Sequence, residues 1–182
     1  MKVPITRITR ADLDSENYYK PSAGLNVDGH IQMDAGLGMV RFRADVKATH
    51  SILAASGTGI RAGLGIRAGC GIDAGWGIRA AWGIDAGWGI RAGRGIKAGS
   101  GIDAGWGITA GDVIKAGLGI RAGLQIYAQK TISAKMRIFA GVCTWKMPSP
   151  EEMTITAAHI DGIVAYGTVK LLAAADEEEG KR

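Results

Sequence analysis

The chain has 182 residues, of which 29 are glycine and only four proline, and carries a formal net charge of +5. A hydrophobic share of 47% excludes a disordered low-complexity chain, and glycine without a three-residue period excludes collagen. A positive balance of this size permits an anionic partner without requiring one.

Residues 1–24 read as a polar, irregular N-terminal cap or arm, with Tyr18 and Tyr19 available to cover a first layer. They hold no apolar run of signal-peptide length, and no stretch of about 18 uninterrupted apolar residues follows. A cytoplasmic protein that makes no membrane contact is the expectation. Cys70 and Cys143 match no metal-ligand spacing and are expected to be reduced.

A six-residue rhythm begins weakly at Leu25 and Ile31 and continues through Val40, Val46 and Ile52. After a two-residue insertion around Ser56 to Thr58 it runs without a break, with isoleucine at every sixth position from Ile60 to Ile138. The unit is Ile-x-Ala-Gly-x-Gly, and the array covers residues 25–145. A period of six fits no helix. Ile and Ala are two apart, so they share one side of a short strand while the residue between them faces the other way. Gly-x-Gly supplies a permissive backbone for a corner. A strand this short buries nothing alone, so the units must stack, Ile on Ile.

The turn-rich break WKMPSPEE (145–152) leads into the C-terminal strands, residues 146–172. MTITAAHIDGIVAYGTVKLL then reads as two strands with a turn signal at Asp161-Gly162, forming a cap or a dimerisation element. Residues 173–182 read as a charged tail.

The units from Val40 to Cys143 resemble the hexapeptide-repeat left-handed β-helix family. That resemblance implies an all-β, single-stranded solenoid of triangular section, with three hexapeptides and about 18 residues per turn. The fifth position departs from the family pattern, in which it is small. Here Trp76, Trp82, Trp88, Trp106, Leu118 and Leu124 occupy it, and they are expected to point outward from the corners. Gly-Ile-x-Ala-Gly arrays closed by a segment like RIFAGVCTW (Arg137 to Trp145) also resemble uncharacterised proteins of bacteria, phages and mobile elements. For a phage source this implies an occluding inhibitor of bacterial defence, of the anti-CRISPR kind.

An 18-residue turn sorts the outward residues into three columns. One is uniformly basic (Arg41, Arg61, Arg79, Lys97, Lys115) and ends at Ser133. It is a candidate stripe for an acidic protein or for nucleic acid, or simply a solubilising face. The other two columns are mixed: Lys47, Arg67, Asp85, Asp103, Arg121, Phe139 and Leu53, Asp73, Arg91, Thr109, Tyr127. One corner column reads His50, Cys70, Trp88, Trp106, Leu124, Val142. With Trp82 and Trp76 it supplies a candidate apolar ridge, covered by a terminal segment of the chain or used in a two-fold dimer.

Catalytic signals are thin. The histidines are His30, His50 and His159, none in the central units and none spaced for a metal. No phosphate-binding loop pattern occurs. The expectation is a non-catalytic binding protein without cofactor or metal, with a protein partner foremost and a homodimer. A bactofilin-like filament former and a hexapeptide acyltransferase are the alternatives.

Overall fold

The computed structural model describes residues 2–21 and 24–173. Each repeat folds as the alternation requires. In Ile90–Ala92 the isoleucine and alanine are buried and Arg91 points out, and the same pattern recurs in every unit from Ile66–Ala68 to Ile108–Ala110. Strands pair in parallel with those 18 residues away, so Ile72, Ile90, Ile108 and Ile126 stack in one line. Burying each such side chain contributes about 1.5–3 kcal/mol. The result is an all-β solenoid of about eight turns, with ~18 residues per turn.

Three faces run the length of the coil. On the first, Arg41 pairs across the ladder with Arg61, then Arg79, Lys97, Lys115 and Ser133. On the second the line is Lys47, Arg67, Asp85, Asp103, Arg121, Phe139. On the third it is Leu53, Asp73, Arg91, Thr109, Tyr127. These are the columns that an 18-residue turn predicts. The first two faces share one 13-stranded sheet, because Thr131–Phe139 bends around the corner and pairs with both. The third face is a nine-stranded sheet.

The corner glycines differ from expectation in their reason. None of the glycines from Gly59 to Gly123 has a positive φ. The first glycine of each corner lies against the backbone of the turn before it. A Cβ on Gly105 would stand 2.1 Å from the Gly87 carbonyl oxygen. Close approach between turns therefore selects glycine, not left-handed backbone. The Ser56 to Thr58 insertion does use such backbone, at Gly57 (φ 72°). Thr58 is buried there; its hydroxyl donates to the Asp34 carbonyl (2.6 Å) and accepts from the Leu37 N–H (3.0 Å).

The terminal segments join the coil. Ile5–Ile8 pairs in parallel with His30–Met33. Residues 9–20 then cross the end, burying Leu13 and setting Tyr19 against Phe42 at 5.4 Å between ring centroids. At the other end Thr154–Ala157 stacks on the third face, His159–Tyr166 wraps the corner beside Thr131–Phe139, and Thr168–Leu171 follows Thr154–Ala157. Asp161-Gly162 is accordingly not a hairpin turn. Gly162 (φ 145°) lies inside the strand His159–Tyr166, where its Cβ would meet the Ala134 carbonyl oxygen at 2.7 Å. Of the expected tail, residues 174–182 lie outside the described residues.

Candidate functional site

Charge is distributed unequally among the faces. On the second face Arg67 pairs with Asp85 at 3.0 Å, and the Arg121 Nε donates to Asp103 at 2.8 Å. That bond and the charge of Asp103 raise the Arg121 pKa above its ordinary value. On the third face Arg91 pairs with Asp73 at 3.6 Å. Each outward aspartate of these columns thus has an arginine one turn away. The first face has no such relief. Among the described residues, Arg41, Arg61, Arg79, Lys97 and Lys115 form no ion pair. Like charges about 5 Å apart in water repel by about 0.8 kcal/mol. Four neighbouring pairs on this face share that backbone spacing, and their long exposed side chains can splay to reduce the repulsion.

The stripe borders a groove of about 420 Å³ lined by Arg41, Arg61, Arg79, Lys97, Arg94 and Trp76, with Asp112, paired to Lys130 at 3.1 Å, as its one acidic side chain. Arg94 lies over the Trp76 ring at 5.0 Å, which fixes the indole at one corner. Trp82 is exposed at the other corner of the same turn, so Arg79 stands between two tryptophans. At the N-terminal end Tyr18 lies against Arg41 (5.6 Å) and Arg43 (4.5 Å). At the C-terminal end the sign reverses, where the Ser133 hydroxyl meets Asp161 at 3.2 Å.

The apolar ridge runs along the corner between the second and third faces. Backbone N–H groups of Trp88, Trp106 and Leu124 each donate one turn back, to Cys70, Trp88 and Trp106, at 3.1 Å. The Trp88 and Trp106 rings stack at 5.8 Å and 17°. Trp145 adds a third ring, 5.7 Å from Trp106. Sequence reasoning missed it; a lone tryptophan inside the polar break WKMPSPEE was the available signal. Lys146 holds Trp145 in place by lying over its ring and pairing with Glu152. That lysine, with the Ser149 N–H, keeps the Glu152 carboxyl below its ordinary pKa. The C-terminal segment therefore covers one end of the ridge. A groove of about 430 Å³ beside it is lined by Trp88, Trp106, Leu124, Arg91, Thr109 and Glu152.

Three expected ridge members sit elsewhere. Trp76 and Trp82 occupy the two corners of the first face, because a six-residue offset moves a side chain to the next corner. Val142 leaves the ladder. Gly141 donates to Leu124 and Val142 to Ala122, the reverse of the order one turn earlier, because Gly141 turns the chain out with φ 84°.

His30 and His50 lie together at the head of the ridge corner, their rings 5.0 Å apart, and His159 is exposed in the last turn. Among the described residues no three His, Cys, Asp or Glu side chains gather as a metal site, and no helix is long and apolar enough to cross a membrane. Neither a protein-family profile, nor a curated protein, nor a solved structure matches this chain.

Proposed function

We propose that the chain is a non-catalytic binding protein that occupies an anionic macromolecular partner with its first face. The observation behind this reading is the stripe Arg41, Arg61, Arg79, Lys97, Lys115, left without ion pairs where the other two faces neutralise themselves. A face that only kept the protein soluble would gain from the interspersed aspartates found on its neighbours. The backbone beneath the stripe is held by five consecutive turns, so binding has to order only its side chains. An acidic protein surface is the foremost partner, and occlusion is the mode of action. The resemblance to phage and mobile-element proteins extends this to an inhibitor of a bacterial defence complex.

The test is a pull-down from bacterial lysate, before and after nuclease treatment, with Arg79→Glu/Lys97→Glu in parallel. A protein partner that survives nuclease and is lost in the variant is the expected result. Its affinity should fall at least about tenfold on the double reversal and weaken with added salt. Capture of nucleic acid alone would transfer the stripe to that partner. A partner held equally by the variant would remove the stripe from the function.

A further inference from the structure

The two ends of the solenoid are finished differently. At the N-terminal end residues 9–20 form a plug. Leu13 is buried, and the free edge of Gly38–Phe42 is taken up by Asn17 and Tyr19 through bonds of 2.8 Å to Arg41. At the C-terminal end the last turn is His159–Tyr166 and Thr168–Leu171. Register identifies its inward positions: Ile160 lies against Ile132, Val164 against Ile138, Val169 against Ile155 and Leu171 against Ala157. Ile132, Ile138, Ile155 and Ala157 are all 0% exposed. Val169 is 46% exposed and Leu171 63%. Among the described residues the hydrophobic column thus reaches the end of the coil, with Ile160 and Val164 partly buried and Val169 and Leu171 uncovered.

Among the described residues the edges are open too. His159–Tyr166 pairs only with Thr131–Phe139, and Thr168–Leu171 only with Thr154–Ala157. Unpaired backbone beside exposed apolar side chains is a template for another strand. The chain's own tail is chemically unsuited to fill it. Residues 173–182, AAADEEEGKR, contain no apolar side chain larger than alanine and four carboxylates. The N-terminal end of another copy fits less well: among the described residues Ile5–Ile8 and Leu25–Val27 also keep one unpaired edge each, but the apolar side chains of that end, Ile8, Leu13 and Phe42, are buried. What matches an apolar, open-edged end is the same end of a second copy.

We infer that two copies join head to head through their C-terminal turns. A two-fold axis sets the open strands of one copy against those of the other in antiparallel pairing, with Val169 and Leu171 in the joint. The joint uses the same C-terminal end of both copies, so the assembly closes at two. The coil's cross-section is small, so the interface is smaller than the usual ~800 Å² per partner and the dimer dissociates on dilution.

Sedimentation of the full chain from about 1 µM to about 500 µM, with small-angle scattering at the upper limit, tests this. The mass should double with concentration. Eight turns at about 4.8 Å span about 40 Å, so the long dimension should rise to about 80 Å. Val169→Asp/Leu171→Asp should weaken association at least tenfold without changing the circular dichroism, since both positions are already exposed. Ile5→Asp, at the plugged end, should leave association intact. A wild-type chain that stays monomeric throughout would overturn the inference. So would a dimer of unchanged length that Trp88→Asp/Trp106→Asp abolishes, or a species that keeps growing. Wild-type scattering decides the geometry alone, so a folding defect in the double variant would not spoil the test.

Discussion

The glycine that opens each corner is fixed by a distance between turns. Its Cβ would enter the carbonyl of the turn before, whereas the glycine that closes the corner has more room, tight at some corners (3.0 Å at Gly119) and ordinary at others such as Gly101. Gly105→Ala, 2.1 Å from the Gly87 oxygen, and Gly101→Ala, 3.5 Å from the Gly119 oxygen, separate the two positions. The first should lose about 2–4 kcal/mol of stability in urea unfolding and the second less than about 0.5 kcal/mol. Ala81 shows the strain in the native chain. It occupies the first-glycine position, and its N–H reaches the Ala62 carbonyl at 3.3 Å, against 3.0 Å for Gly87 to Ala68. The sequence displayed which residues face in, because period two is local. It could not display why glycine is required, because that distance exists only once turns stack.

Among the elements, the turns that depart from the repeat are tied by carboxylates. Asp12 accepts the N–H and hydroxyl of Thr9, both at 2.8 Å, and folds residues 9–12 over the end of the coil. Asp45 accepts the Gly65 N–H at 2.9 Å and pairs with Lys47. The backbone bonds, from Thr9 and Gly65 respectively, are the main cause that lowers both acids below the ordinary carboxylate range. A lowered folded-state value means that the stabilisation is present above the unfolded pKa of about 4 and is lost as pH falls below it. The melting temperature should therefore hold between pH 8 and about pH 5 and decline below about pH 4. Asp45→Asn should flatten that decline in thermal melts followed by circular dichroism. The effect is modest, because both carboxylates are partly solvated. The same irregular elements resisted sequence reasoning. Asp161-Gly162 carries the composition of a hairpin, yet parallel stacking on Ser133 and Ala134 carries the strand straight through it. Trp145 joined the ridge, and Val142 left it, through a break whose path no period specifies.

Over the whole molecule, the three charge columns were legible before any coordinates, since 18 residues per turn converts an irregular string of signs into aligned rows. The pairing of Asp73, Asp85 and Asp103 with arginines one turn away follows from the same arithmetic. The contents of the corners were less legible, because Trp76, Trp82 and Trp88 look like one family of residues in the string and occupy three different edges of the coil. The uneven ends were hidden for a further reason. A polar N-terminus and a charged C-terminus look alike in composition, but among the described residues it is residues 9–20 that turn back across the core.

A consequence lies in the mismatch between the six-residue unit and the 18-residue turn. From Ile60 to Ala140 every hexapeptide is interchangeable to the interior, since each delivers one isoleucine and one alanine to the same two layers. The exterior distinguishes them by their place in a cycle of three. Gain or loss of three units would lengthen or shorten every surface by one row and leave each inscription readable. Gain or loss of a single unit would leave the interior undisturbed and rotate everything downstream by a third of a revolution, breaking the cationic row in two. Such a chain can drift in length cheaply, but only in whole revolutions if what is written on its sides matters.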